Sequence, residues 1–455
     1  MYTSVTKGAT LIVLLLAGFP SFAQNNVLDQ YIQQAFQNNK GLREQHFELE
    51  KSMYALQEAR SLFGPNVALL GNYTKAKGGR TIDFPAGDML NPVYKSLNHL
   101  TGSNQFPPLE NVSVQLAPDN FYDVKLRTSL PLVNAEIYYN QQIKKEQITQ
   151  QQAALNVYKR ELVKDIKTAY FQYYQASQAV SIYNSALSLI NENIRINESM
   201  IRNGIRNNTA LYRSQTEKEK TDGDINKAIN ARENAKAYFN FLLNRQLTDS
   251  VTLDITLLQT PTLAASSDIN AREELTQLQS AAKSYRLNEQ LQRSYLIPKL
   301  NTFLDLGTQS MGLHFDNQSR YYMFGVNLEW NLFAANKNRY KIKQAQVAVQ
   351  SISNQADKTA DALRLQLYEA SNNYRTAVLN FRTAQSQLSF AERYYRDQLK
   401  VYKAGQLLYI ELLDAQNQLT QARLQTVAAQ AAVQTAFAAV ERTEASYQIN
   451  SSSSL

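Results

Sequence analysis

The chain has 455 residues, with 47 Lys and Arg against 39 Asp and Glu for a net charge of +8, 3 His, 1 Trp and no Cys. Without cysteine there is no disulfide, thiolate nucleophile or thiolate-bound metal, and His46, His99 and His314 are too few for a histidine metal site or triad. The basic residues are scattered and no phosphate-cradling or nucleophile-elbow glycine motif occurs, so neither nucleic acid, a cofactor nor catalysis is expected.

An apolar run over 9–19 follows Lys7, and Ser21-Phe22-Ala23 places small residues at −3 and −1 of a cut before Gln24. This predicts a secretory signal peptide over 1–23. A membrane anchor is the alternative, for which the run falls short of the roughly 20 residues of a spanning helix. After a short helix, Gly64-Pro65 opens a predicted strand at about 66–78. The insertion 79–119 holds Pro85, Pro92, Pro107, Pro108 and Pro118 and reads as an ordered or semi-ordered loop. A second strand at about 121–132 sets Val124, Leu126, Leu130 and Leu132 on one face and Asp123, Lys125, Arg127 and Ser129 on the other.

Residues 134–245 contain no proline and only Gly204 and Gly223. With Leu162, Ile166, Ala169, Tyr173, Ala176 and Val180 stepping by four and three, the stretch predicts a helical hairpin with coiled-coil packing that turns at Gly204. Its first helix would be about 100 Å long at 1.5 Å per residue. A linker or equatorial segment at 246–267 precedes a second repeat over 268–447: a short helix, strands at about 299–312 and 321–333, and a hairpin 334–447 turning at Gly405. A disordered tail is expected over 448–455. Leu132 and Leu332, and Gly204 and Gly405, are separated by 200 and 201 residues, so the chain is a duplication with the insertion in its first half.

Four strands of alternating polarity cannot close a membrane barrel alone, and an open edge cannot sit in lipid. The order of elements resembles the TolC family of outer-membrane efflux proteins, together with Gly64-Pro65 and Ile297-Pro298 before strands, Leu130-Pro131-Leu132 leading into the first long helix, and Tyr402-Lys403-Ala404-Gly405 followed by Leu412-Leu413-Asp414-Ala415-Gln416. The resemblance covers nearly the whole mature chain. It implies a mostly α chain with membrane β structure, a homotrimer whose 12-stranded outer-membrane β-barrel continues into a long periplasmic α-helical barrel. It also implies a passive exit duct of a tripartite efflux system embedded in outer membrane lipid. Small molecules would reach it from an inner-membrane pump of RND or ABC type through a periplasmic adaptor (membrane fusion) protein. A duct for type I protein secretion is an alternative within the same fold, and a non-channel coiled-coil structural protein is one outside it.

Helical spacing puts Glu411 and Asp414 on a polar face with Leu407 and Gln418, about 100° from the Leu412/Ala415 seam. Such a face is either solvated or turned to a pore. The resemblance implies the latter, a constriction built from Glu411, Asp414 and Leu407 with Tyr402 as its gating tyrosine; for Tyr402 a plain coiled-coil aromatic is the alternative. Where that family has an acid to bond the tyrosine this chain has Ala210, beside Thr209, and where it has a basic gate residue it has Leu407. Gly204 and Gly405 are the helical turns that would face the adaptor. Trp330, Tyr321 and Tyr322 read as membrane-interface aromatics or as ordinary strand aromatics.

Overall fold

A computed structural model describes residues 26–263 and 269–449. The predicted signal peptide, most of the predicted tail and part of the linker lie outside the described residues. In chain order the elements are α1 (Val27–Asn38), α2 (Lys40–Ser61), β1 (Asn66–Thr74), β2 (Thr81–Phe84), α3 (Ala86–Thr101), β3 (Val112–Gln115), β4 (Phe121–Val133), α4 (Ala135–Arg202), α5 (Thr209–Leu242), α6 (Glu273–Arg293), β5 (Lys299–Met311), β6 (Arg320–Glu329), α7 (Lys337–Lys403) and α8 (Tyr409–Glu444). The described residues fall into two compact units, one drawn from 26–44, 156–263, 269–272 and 362–449, the other from 45–155 and 273–361.

The second unit carries the sheet. Its four strands run antiparallel in the order β1-β4-β5-β6, leaving β1 and β6 as free edges. Two-residue alternation divides the sheet into unlike faces. Val67, Leu69, Val124, Leu126, Leu304, Leu306, Tyr322, Phe324, Val326 and Leu328 share one face and are all exposed. An apolar area of that extent, uncovered among the described residues, is not the surface of a water-soluble monomer. The opposite face holds a paired charge network. Arg127 grips the buried carboxylate of Asp305 with two hydrogen bonds of 2.7 and 2.6 Å and stacks over Phe303 at 5.0 Å. Asp123 accepts from Lys125 and from the Tyr321 hydroxyl, both at 2.7 Å.

The strand expected to reach residue 333 ends at Glu329, because β5 begins at Lys299 and offers no partner beyond that pair. Trp330 therefore lies just past the sheet. The insertion is more structured than a loop. Helix α3 sits between β2 and β3, which pair as a separate two-stranded ribbon. Asn91 and Asn98 on α3 imitate backbone, each exchanging two hydrogen bonds with the returning chain, at Leu109 (2.8 and 2.7 Å) and Phe106 (2.8 and 3.1 Å). Side-chain amides thus stabilise a segment whose prolines read as loop.

In the first unit, α1, α4, α5 and α8 meet around Tyr170, Phe171, Phe239, Leu243 and Ala431. The Asn26 side chain caps α1 by accepting the Asp29 N–H at 2.9 Å. On α7 the seam residues Leu363, Leu367, Ala370, Tyr374, Phe381 and Ala384 are buried. On α4 the seam drifts: Tyr170 and Tyr174 are buried in place of Tyr173, as a straight helix departs from a strict seven-residue repeat.

Candidate functional site: the paired turns and the polar face beyond them

Both hairpin turns in the first unit close by the same backbone rule. Gly204 and Gly405 adopt φ of +68° and +78°, conformations that glycine reaches without steric cost. At the first turn, Gly204 N–H donates to Ile201 O (3.0 Å) and Ile205 N–H to Met200 O (2.9 Å). At the second, Gly405 N–H donates to Tyr402 O (2.9 Å) and Gln406 N–H to Val401 O (3.3 Å). Each pair is a Schellman motif.

The two turns are tied to one another. Arg206, two residues past its glycine, holds in the first repeat the place Leu407 holds in the second. Its guanidinium donates to the Leu407 carbonyl and stacks over the Tyr402 ring at 5.1 Å. Tyr402 is fully buried and donates its hydroxyl proton to Asn197 Oδ1 on α4. Asn197 Nδ2 in turn lies 3.3 Å from both Ala210 O and Ser214 Oγ on α5. Tyr409 packs at 5.8 Å from the Tyr402 ring. Burial pushes both phenols above their ordinary range, so each stays protonated and Tyr402 remains a donor. One turn of α4 away, Asn193 Nδ2 donates to Gln416 Oε1 at 2.7 Å, both side chains buried, joining α4 to α8.

The acids lie just beyond. Glu411 is exposed and its carboxylate accepts the Leu408 N–H at 3.2 Å, capping the first turn of α8. Asp414 is exposed and accepts from Gln418 Nε2 at 2.7 Å. Leu407 is half-buried. Of the four constriction residues expected, Tyr402 is therefore enclosed within the chain and acts by holding helices together, whereas Glu411 and Asp414 present charge to whatever lies outside it.

The aromatic set divides. Tyr322 is 80 % exposed on the apolar face of β6, while its neighbour Tyr321 turns to the charged face and bonds Asp123. Adjacent residues of a strand cannot both face one side, so Tyr321 is not an interface residue on the apolar face. Trp330 is 53 % exposed, eight residues from Tyr322.

Asn193, Asn197 and Arg206 are the site residues that sequence reasoning missed. A signal existed: Ile190, Asn193, Asn197 and Met200 step by three and four, which puts two amides on a buried seam. The base missing at 407 stands at the matching position of the other repeat.

A model of the outer membrane efflux protein family matches residues 31–245 and 266–443, one stretch in each half of the duplication. No curated protein matches the sequence. Among solved structures, CusC, described with transmembrane channel formation, is 17 % identical, with a TM-score of 0.75 over 92 % of both chains. The MtrE outer membrane channel of Neisseria gonorrhoeae, in its open state, is 17 % identical, with a TM-score of 0.73 over 92 % of this chain and 88 % of its own. The outer membrane protein VceC of Vibrio cholerae is 12 % identical, with a TM-score of 0.70 over 92 % of this chain and 95 % of its own.

Proposed function

Because the chain belongs to the outer membrane efflux protein family, we propose that three copies assemble into one passive exit duct through the outer membrane. The protein is an outer-membrane efflux channel. Its sheet has two free edges and an exposed apolar face, and this observation carries the trimeric reading. In lipid every strand edge must be paired. Three sheets joined edge to edge give twelve strands, with the apolar residues on the lipid side and Arg127, Asp305, Asp123 and Lys125 on the water-filled side.

Tyr322 and Trp330, the latter just past the end of β6, are eight residues apart, about 26 Å of extended chain at about 3.3 Å per residue, and they mark the two borders of the apolar band. Glu411 and Asp414 form two acidic rings in the helical part of the duct, six carboxylates in all, which favour cations. The turns at Gly204 and Gly405 meet a periplasmic adaptor that connects the duct to an inner-membrane pump. No step of passage requires catalysis, and the duct moves small molecules down the path the pump supplies. The family points to efflux, and nothing in the site favours polypeptide secretion over it.

Native mass spectrometry of the detergent-solubilised protein, paired with planar-bilayer recordings, tests the assembly. A trimer that conducts is the expected outcome. A stable monomer retaining its full strand content would overturn it.

A further inference from the structure

The free edges of the sheet carry enough information to fix how neighbouring chains meet. In an antiparallel sheet the N–H and C=O of one residue point to the same side and alternate from residue to residue. Two backbone bonds at the end of the sheet set the phase: Gly312 N–H donates to Asn120 O (2.6 Å) and Gln309 N–H to Ser319 O (2.9 Å). Even residues of β4 therefore bond β5, and its odd residues bond the even residues of β1. The unpaired backbone groups of β1 belong to Val67, Leu69, Gly71 and Tyr73. By the same count β6 bonds β5 through its odd residues, leaving Tyr322, Phe324, Val326 and Leu328 unpaired. Every one of these side chains lies on the apolar face, so edge bonding and face matching impose the same parity.

Parity leaves registers two residues apart, with Gly71 opposite Tyr322, Phe324 or Val326 of the neighbour. Within one chain the ladder leads from Gly71 through Val124 and Thr308 to Arg320. Phe324 lies four residues beyond Arg320, an offset that each of three chains would repeat around the barrel. With a rise of about 3.3 Å and a strand spacing of about 4.8 Å, this tilts the strands by about 35°. The Tyr322 register gives about 19°, far below the usual range of about 35–45°, whereas the Val326 register gives about 46°, at its upper edge. Strand length chooses independently. Only the Phe324 register puts all of β1, Asn66 through Thr74, against β6, Glu329 through Tyr321.

The side chains complete the match. A Cβ at Gly71 would meet nothing nearer than Val124 at 3.9 Å, and the residue floors an open groove of about 470 Å³ walled by Tyr73, Tyr122, Val124 and Phe315. The same sheet already sets aromatic rings against its other glycines: Phe303 lies 2.5 Å from the place of a Gly325 Cβ, and Tyr321 lies 3.0 Å from that of Gly307, beside Lys125 Cβ and Val124 O at 2.8 Å. Covering a strand glycine with a cross-strand ring protects backbone that has no side chain of its own.

We infer that β6 of a second copy of this chain pairs with β1 in the register Gly71–Phe324, the Phe324 ring covering Gly71. Tyr73–Tyr322, Leu69–Val326 and Val67–Leu328 then complete a lipid-facing seam. The inference rests on the trimeric duct reading and adds its register.

Double cysteine variants of the full chain test it without background, since the protein has no cysteine of its own. Non-hydrogen-bonded antiparallel pairs bring Cα atoms to about 4.5 Å, within disulfide reach. Asn72→Cys with Met323→Cys reports the proposed register. Asn72→Cys with Tyr321→Cys reports the one two residues short, and Ala68→Cys with Glu329→Cys the one two residues long. After mild oxidation in outer-membrane preparations, the first pair is expected to convert most of the protein to covalent dimers and trimers, and the other two pairs little of it. A dominant band from either of the other pairs, or a trimer by native mass that none of the three cross-links, would overturn the register and leave the duct reading standing. Monomers by both measurements would overturn the duct reading itself.

Discussion

The Tyr402 hydroxyl donates to the side-chain oxygen of Asn197 in a site where neither residue is exposed, and this bond joins α7 to α4 beside the two turns. The partner is a neutral amide. It avoids the cost of burying a carboxylate, and its other end remains free to bond α5. Asn197→Ala would leave a buried phenol without its acceptor, at a cost of about 1–3 kcal/mol. Tyr402→Phe would leave the amide oxygen in the same position. Each single variant is expected to lower thermal stability and to raise the conductance of the channel in planar bilayers, as the turn at Gly405 loosens from α4. The double variant should lose less than the sum of the two, because one bond is removed twice. Full additivity would show that the bond does not hold the helices together.

The acids call for an isosteric test. Glu411 accepts the Leu408 N–H, so truncating it removes a helix cap along with a charge. Glu411→Gln with Asp414→Asn keeps both side-chain acceptors and removes only the charge. This pair is expected to weaken cation preference and block by multivalent cations while the melting temperature stays nearly fixed. Glu411→Ala should shift both. If the isosteric pair left selectivity unchanged, these acids would be solvated helix surface and nothing more.

Much of this architecture is legible in the sequence because its signals are periodic. Proline-free, glycine-poor stretches gave the hairpins, and two-residue alternation in 121–132 exposed the two unlike faces of the sheet. The latch was less legible because its partners are joined through space. Asn197 and Tyr402 are 205 residues apart, and Arg206 serves the second repeat from the first. The insertion misled for a local reason: Pro85 and Pro92 read as breaks, yet one precedes α3 and the other is accommodated inside it. Adjacent aromatics misled as well, since Tyr321 and Tyr322 share a composition signal and not a face.

Topology can be read from the outside of the cell. The insertion links the ends of β1 and β4 remote from α4, so in the proposed duct it is expected beyond the outer mouth. Arg80 directly follows the bend at Gly78 and Gly79, whose φ values are +81° and +100°. Helix α3, by contrast, is clamped by Asn91 and Asn98. Trypsin added to intact cells is expected to cut first near Arg80 and only later at Lys95 on α3. Cleavage restricted to lysed cells, with the site accessible in the purified protein, would reverse the assignment.

Acid should loosen the first unit through one identifiable carboxylate. Glu161 on α4 accepts from Arg442 on α8 at 3.0 Å and from Lys164. Burial pushes its carboxyl upward, but the hydrogen bonds and charges of Lys164 and Arg442 outweigh it and hold the group below its ordinary value of 4.5. A depressed carboxylate contributes stability that is present above the unfolded value and lost as the pH falls through the folded one. Asp165, one residue from Lys164, is shifted the other way, because burial dominates over that lysine's charge. Ionised Asp165 therefore weakens the fold at neutral pH, and the penalty vanishes on protonation. Glu161→Gln is expected to lower the melting temperature at pH 7 and to converge on the parent as the pH falls through the depressed folded value, below 4.5. Asp165→Asn is expected to raise it at pH 7 and to converge likewise at low pH, where both residues are neutral. Melting curves from pH 7 downward separate the two, and a Glu161→Gln deficit that did not shrink as the pH fell would assign the loss to packing and not to charge.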